Sequence, residues 1–123
     1  MKGQWIGRTT GDQVGQIILN VDSIDGRFSG SAFTLPDDPQ LPSSVNIFVT
    51  KDSSPNFSFS VATVPIDPTS GLPCKWEQIQ NRYPGIDHST RADVTGHYEG
   101  DILFFRARTD IGVSIETRIE RPI

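Results

Sequence analysis

Apolar and polar side chains alternate with a period of two through most of this chain, and this pattern predicts β-strands. The clearest case is residues 57–64, where Phe57, Phe59 and Val61 share one face and small polar residues occupy the other. Such a strand belongs to a sheet with one buried and one solvated face. The same alternation predicts strands at residues 3–9, 14–22, 27–35, 44–50, 57–64, 92–98, 101–108 and 113–120.

The pairing of the last two predicted strands follows from their loop. Residues 110–112 read Asp-Ile-Gly, which is typical of a three-residue hairpin loop that ends in a left-handed glycine. This loop places Ala107 opposite Ile115 on an apolar face and Arg106 opposite Glu116 on a polar face. A slip of one residue would exchange the two faces, so the sequence predicts a single register.

The strands predict an all-β, antiparallel meander of about eight strands. Most connections are short enough to be hairpins, and 123 residues suffice for one domain but not for two cores of ordinary size. An up-and-down barrel removes both free edges of the sheet, and we therefore favour it. A sandwich of two sheets is the alternative. We expect one domain over residues 1–123.

One helix interrupts the strand pattern, at residues 73–83. Proline at the first helical position is favourable, as at Pro73. Trp76, Ile79 and Tyr83 then fall on one face, at positions i, i+3 and i+7. A Pro-Gly pair ends the helix. We expect the helix to lie against one end or side of the barrel.

A Gly-x-aromatic-x-Gly motif occurs three times, at residues 3–7, 26–30 and 96–100. A strand with a large ring between two glycines can bend sharply, as a closed barrel requires. Because positions two apart share a face, we expect Trp5, Phe28 and Tyr98 on the core side. Gly30 and Gly96 should then lie beside these rings.

Composition narrows the classes of function. The net charge of −4 argues against binding of nucleic acid, and no apolar run approaches the length of a membrane span. The one cysteine, Cys74, excludes an intrachain disulfide, and no signal peptide is recognisable, so we expect a cytoplasmic location. His88 and His97 have no neighbours at metal-ligand spacing. We expect them to face solvent, and we expect no metal and no cofactor.

No catalytic motif appears, so acidic residues at strand ends are the candidates for chemistry. Asp67, Asp93 and Asp110 would form an acid/base group if they met at one rim of the barrel. The alternative, which we favour, is that each carboxylate caps its own turn. No residue is therefore predicted to be catalytic.

Aromatic and basic residues are the candidates for binding. Trp5 would line a ligand cavity or fill the core, and Trp76 would do the same or lie at a contact surface. Arg8, Arg106 and Arg108 would form an anion-binding patch, although Glu116 is predicted to neutralise one of them. The predicted ligand or partner site consists of Trp5, Arg8, Trp76, Tyr98, Arg106 and Asp110.

The Gly-x-Trp opening and the motif at residues 26–30 resemble the glycine-aromatic strand patterns of calycin barrels such as avidins and lipocalins. A closer resemblance covers almost the whole chain. The segments 1–7, 65–68, 76–79, 92–96 and 109–112 are similar to the amino-terminal domain of bacterial FRG-domain proteins. That resemblance implies a β-rich domain that precedes an FRG domain, sometimes in phage-related settings. Residues 1–123 would then be a fragment or a stand-alone version.

These observations together favour a non-catalytic binding or sensing module. It would recognise a protein partner or an unknown small ligand for an effector of the FRG type, in a role related to phage defence. The alternatives are a small hydrolase or isomerase with carboxylates at the barrel rim, and a structural domain that forms oligomers.

Overall fold

The computed structural model describes residues 2–51 and 55–120, so both ends of the predicted domain and residues 52–54 lie outside the described residues. All eight predicted strands are present. They are β1 (Gly3–Gly11), β2 (Gly15–Ile24), β3 (Arg27–Pro36), β4 (Ser44–Lys51), β5 (Asn56–Pro65), β6 (Arg91–Glu99), β7 (Ile102–Thr109) and β8 (Ser114–Glu120). Each pairs antiparallel with the next, and β1 pairs with β8. The up-and-down barrel is therefore confirmed, in place of the sandwich.

The core of the barrel is built by one face of every strand. Trp5 and Leu103 are fully buried and Ile119 is almost so, and all three point inward from β1, β7 and β8. β1 is far in sequence from β7 and β8, so the contacts between Trp5 and the other two side chains form only when the sheet closes. Burial of such large side chains supplies most of the favourable free energy of folding.

The predicted register of the last hairpin is confirmed. Arg106 pairs with Glu116 and Ala107 pairs with Ile115. On the outer face, Nε of Arg106 donates a hydrogen bond to Oε1 of Glu116 at 2.9 Å. The glycine of the loop, Gly112, has a φ of 83°, as a left-handed loop position requires.

The predicted helix is shorter than expected and begins later. It consists of α1 (Trp76–Ile79) and a single 3₁₀ turn, Gln80–Arg82. Pro73 does not begin the helix, because it forms an antiparallel bridge with Ile66. The extended backbone continues to Cys74, whose N–H donates to the carbonyl of Pro65 at 3.0 Å.

The start of α1 is set by a side chain that the sequence analysis did not use. Oε1 of Gln78 accepts a hydrogen bond from the backbone N–H of Lys75 at 2.9 Å, as in half of a capping box. The predicted apolar face of the helix is confirmed. Trp76, Ile79 and Tyr83 are buried together in a small cluster separate from the barrel core.

Rings from neighbouring strands lie against the inner glycines of the second and third glycine-aromatic motifs. A Cβ on Gly30 would lie 3.1 Å from the ring of Phe48, and a Cβ on Gly96 would lie 2.7 Å from the ring of Phe57. These rings belong to the cross-strand partners of the two glycines. Trp5 and Phe28 are buried and Tyr98 packs against the core, as predicted, but the nearest rings to Gly30 and Gly96 come from the neighbouring strands. A ring across the ladder is closer to a glycine than a ring two residues along the same strand.

Candidate functional site: the open end of the barrel

One end of the barrel is closed by aromatic side chains. The ring of Phe28 meets the ring of Tyr98 edge to face, with centroids 5.8 Å apart. Trp5 and Leu103, both fully buried, pack in the same core cluster. Among the described residues, aromatic and aliphatic side chains therefore pack across this end of the barrel.

The opposite end is open and carries the longer connections. Residues 37–43 and 66–90 and the loops after β1 and β7 surround a cleft of about 240 Å³, which we call the mouth. Its walls include Ile86 and Ile115 as apolar groups and Asp87 as a polar group. The mouth is thus amphipathic.

A smaller cavity of about 60 Å³ lies below the mouth, inside the barrel. Its walls are almost entirely apolar. It shares five wall residues with the mouth, so the two spaces adjoin: Thr34, Asn46, Ala92, Ala107 and Ile115. A cavity of this size has room for about two water-sized groups. It can therefore hold the end of an alkyl chain but not a whole ligand.

Asn46 is the main polar group between the two spaces. Its side-chain amide donates to the carbonyl of Ala62 at 2.9 Å and to Oγ1 of Thr63 at 2.7 Å. The amide protons of Asn46 therefore hold β4 against β5, and they are not offered to a ligand. The inner cavity consequently selects for apolar groups.

His88 is held at the mouth by an aromatic stack. Its ring lies parallel to that of Trp76 with centroids 4.8 Å apart, and Trp76 stacks in turn on Tyr83 at 5.8 Å. His88 is half-buried rather than solvent-facing as predicted. Trp76, predicted as a binding residue, thus acts on the mouth through His88. The sequence gives no sign of this stack, because the eleven residues between the two rings comprise the rest of α1, the 3₁₀ turn and a stretch without regular structure.

The charge of the mouth is negative. Asp12 and Asp87 contribute carboxylates, and none of the described residues that line the mouth is a lysine or an arginine. A carboxylate or phosphate ligand would meet like charge there. The mouth therefore favours ligands with a neutral or cationic polar group.

Asp110, another predicted binding residue, lies beside the mouth and links two segments of the chain. Its carboxylate accepts hydrogen bonds from Oγ1 of Thr90 at 2.6 Å, from Oγ of Ser89 at 3.0 Å and from the backbone N–H of Thr90 at 3.1 Å. These bonds, the one from the Thr90 hydroxyl above all, lower the pKa of Asp110 from 3.8 to about 2. Asp110 therefore ties the β7–β8 loop to residues 89–90.

This pKa leads to a prediction about stability in acid. The folded state lowers the pKa of Asp110, so its stabilising effect is complete above a pH of about 4 and is lost as the pH falls toward about 2. Asp110→Asn should therefore lose less stability than the wild type over that interval, as measured by urea unfolding at successive pH values. Parallel pH curves for the two proteins would contradict this assignment.

The remaining acidic candidates do not converge with Asp110. Oγ of Ser60 donates to Asp93 on the outer face of β6, and Asp67 accepts the backbone N–H of Thr69 at 2.8 Å within its own turn. Asp67 therefore caps its own turn, as in the turn-capping interpretation, whereas Asp93 and Asp110 accept hydrogen bonds from other segments. The geometry therefore offers no support for an acid/base pair at the rim.

Two of the predicted arginines meet on the outer wall. Arg8 and Arg106 line a shallow cleft of about 540 Å³ across β1, β8, β7 and β6, whereas Arg108 is not among its lining residues. Arg8 forms an ion pair with Asp37, and Arg106 forms one with Glu116 at 2.6 Å. All four side chains are more than half exposed. Such pairs contribute little to stability, and they neutralise the predicted anion patch.

The other two predicted residues belong to the core rather than to either cleft. Trp5 is fully buried, and Tyr98 packs against the core cluster. Neither lines the mouth or the inner cavity. Within residues 2–51 and 55–120, no three acidic, histidine or cysteine side chains are grouped as a metal site would need.

Comparison with known proteins adds no family to these observations. No family model matches the chain, and no curated protein or solved structure matches it. In the part of the chain that the structure describes, no helix has the length and apolar character that a membrane span requires.

Proposed function

We propose that this protein is a non-catalytic binding module that takes a small amphipathic ligand at the open end of its barrel. The observation that carries the proposal is the mouth of about 240 Å³ directly above an apolar cavity of about 60 Å³. Clefts at the open end of a β-barrel are common sites for small ligands. Because aromatic side chains pack at the other end of the barrel, the mouth is the route to the inner cavity that we propose.

The dimensions and charge of the site define the chemistry of the ligand. A short alkyl or similar apolar end enters the inner cavity past Ala107 and Ala92, where no amide proton of Asn46 is available. A neutral or cationic polar end stays in the mouth, near Asp12 and Asp87. Each methylene that leaves water contributes about 0.8 kcal/mol until the cavity is full.

The resemblance to FRG-domain proteins supplies the biological part of the proposal. On that basis the module serves a neighbouring effector, in a setting related to phage defence, and ligand binding is the signal that it senses. This part rests on the resemblance alone, and the ligand chemistry rests on the site.

A homologous series of ligands tests the proposal. Binding of n-alkylammonium ions from propyl to octyl is measured by calorimetry, beside the n-alkanoates of equal length. Affinity should rise over the first few methylenes and then level off, since the cavity of about 60 Å³ is soon full. The ammonium series should bind more tightly than the carboxylate series. Equal affinities, or an affinity independent of chain length, would contradict the proposal.

A variant whose larger side chain fills part of the inner cavity tests the same proposal, and a matched variant on the outer face is its control. Ala107→Val adds two methyl carbons where the cavity adjoins the mouth. It should lower the affinity for the longest alkylammonium ion by about tenfold. Ala62→Val makes the same change at an exposed position of β5 and should leave the affinity unchanged. Urea unfolding of both variants verifies that the barrel remains folded.

A further inference from the structure

The wall of the barrel has a long interruption between β4 and β5. Their ladder ends at the pair Asn46–Thr63, although β4 runs on to Lys51 paired with β3, and β5 begins at Asn56 paired with β6. A cleft of about 500 Å³ lies there and is lined by both strands. We call this interruption, between residues 47–51 and 56–62, the β4–β5 seam.

Two hydrogen bonds show which backbone groups point into the seam. The N–H of Ile66 donates to the carbonyl of Ser43 at 3.0 Å, so odd-numbered residues of β4 direct their peptide groups toward β5. The N–H of Thr63 donates away from β4, to the carbonyl of Thr90 at 2.9 Å. Even-numbered residues of β5 therefore direct their peptide groups toward β4.

The seam thus presents two rows of backbone donors and acceptors. Ile47 and Val49 on β4, and Ser58 and Ser60 on β5, direct N–H and C=O groups into it. Within the described residues, the ladder between these strands reaches none of the four. An edge with such free groups is a template for another strand.

Aromatic side chains form the floor of the seam. Phe48 and Phe59 stack with ring centroids 5.3 Å apart, and Phe57 stacks on Phe59 at 5.9 Å. On the outer rim, the side chains of Ile47 and Val49 are 71% and 55% exposed. An occupant that alternates apolar and small residues, as a strand does, fits both surfaces.

The charge at one end of the seam points to the composition of the occupant. Arg27 and Lys51 are cross-strand partners there, and both line the cleft. Neither forms an ion pair with any residue in the described part of the chain. An acidic side chain at one end of the occupant would meet both cations.

We propose that the β4–β5 seam binds a short extended segment of a partner protein by strand addition. The segment is four or five residues long, alternates β-branched and small polar residues, and carries an acidic residue that lies beside Arg27 and Lys51. A second copy of this chain fits less well, because two copies that each carry a net charge of −4 repel each other. The proposal is independent of the ligand at the mouth.

Amide hydrogen exchange in the free protein tests whether the seam is open. In residues 47–50 the odd-numbered amides should exchange at least about tenfold faster than the even-numbered ones, which pair with β3. In residues 57–60 the even-numbered amides should be the fast ones. Uniform protection along either strand would mean that the ladder is closed, and the proposal would fail.

A defined peptide tests occupancy. Acetyl-Asp-Val-Thr-Val-Thr-amide should bind and should slow the exchange of the amides that face the seam. Methylation of both valine nitrogens of the peptide removes main-chain donors but keeps every side chain, and it should weaken binding by at least about tenfold. Equal binding of the two peptides would overturn strand addition. Dimerisation of the free protein in the ultracentrifuge, lost when seam residues are changed, would identify a second copy as the occupant instead.

A pair of proline variants distinguishes the edge of β4 that faces the seam from the edge that pairs with β3. Val49→Pro removes an N–H that faces the seam, so the barrel should fold and lose peptide binding. Thr50→Pro removes an N–H directed toward β3 and should strongly lower the unfolding midpoint. If both variants unfold alike, the N–H of Val49 has a partner in the folded protein and the proposal is wrong.

Discussion

Trp5→Ala should lower the free energy of unfolding by about 3–5 kcal/mol, as large-to-small changes of buried aromatic residues do. Trp5 is fully buried on β1, in the core cluster that also contains Leu103 and Ile119 from β7 and β8. The lost ring leaves a cavity that a closed barrel cannot collapse to fill. Domains of this kind have about 5–15 kcal/mol of total stability, so much of it would be lost.

The measurement for Trp5→Ala is urea unfolding followed by circular dichroism. Trp76→Ala is the matched control, because it makes the same change in the small cluster formed by the segment between β5 and β6. That cluster lies apart from the barrel core, so the control should lose much less stability. Equal losses would show that the two clusters unfold as one unit, contrary to our account of the core.

Gly96→Ala should also be strongly destabilising, by about 2–3 kcal/mol, although it adds only one methyl group. The new Cβ would lie 2.3 Å from the carbonyl oxygen of Phe104 and 2.7 Å from the ring of Phe57. The ring can move, but the carbonyl belongs to the backbone of β7, which pairs with β6 at this point. Thermal unfolding measures the loss.

Two further variants make this prediction specific. Thr95→Ala, at the adjacent exposed position, should cost less than about 1 kcal/mol. Replacing Phe57 by Leu in the Gly96→Ala protein should restore only part of the stability, since the contact with the Phe104 carbonyl remains. Full recovery in that double variant would show that the ring, and not the backbone, excludes a side chain at position 96.

The contacts of Gly30 and Gly96 show which part of the Gly-x-aromatic-x-Gly motif could be predicted from the sequence. The alternation placed Gly30 and Gly96 on the inner face, and this is confirmed. The rings that cover them come from β4 and β5, strands that carry no such motif. A cross-strand neighbour depends on the register of a ladder, and the long connections from β3 to β4 and from β5 to β6 give no loop from which that register could be predicted.

The candidate site was likewise predicted only in part from the sequence. Trp76 and Asp110 are predicted binding residues. The ring of Trp76 holds His88 at the mouth, and the carboxylate of Asp110 ties the β7–β8 loop to residues 89–90 beside it. Arg8 and Arg106 do share a cleft, but each is paired with a carboxylate. The inner cavity is not lined by Trp5, the residue for which the sequence offered a cavity as one interpretation. A cavity is the volume that remains after all side chains are packed, and no local pattern records its place.

Period-two alternation and turn chemistry are properties of a few adjacent residues. They were therefore enough to predict eight antiparallel strands, the last hairpin and the short connections that lead to a closed barrel. Three features depend on how distant strands meet: the mouth above its cavity, the late start of α1 after the Ile66–Pro73 bridge, and the open β4–β5 seam. Curvature and closure set the distances between those strands, and the free energy of the whole packed barrel determines both.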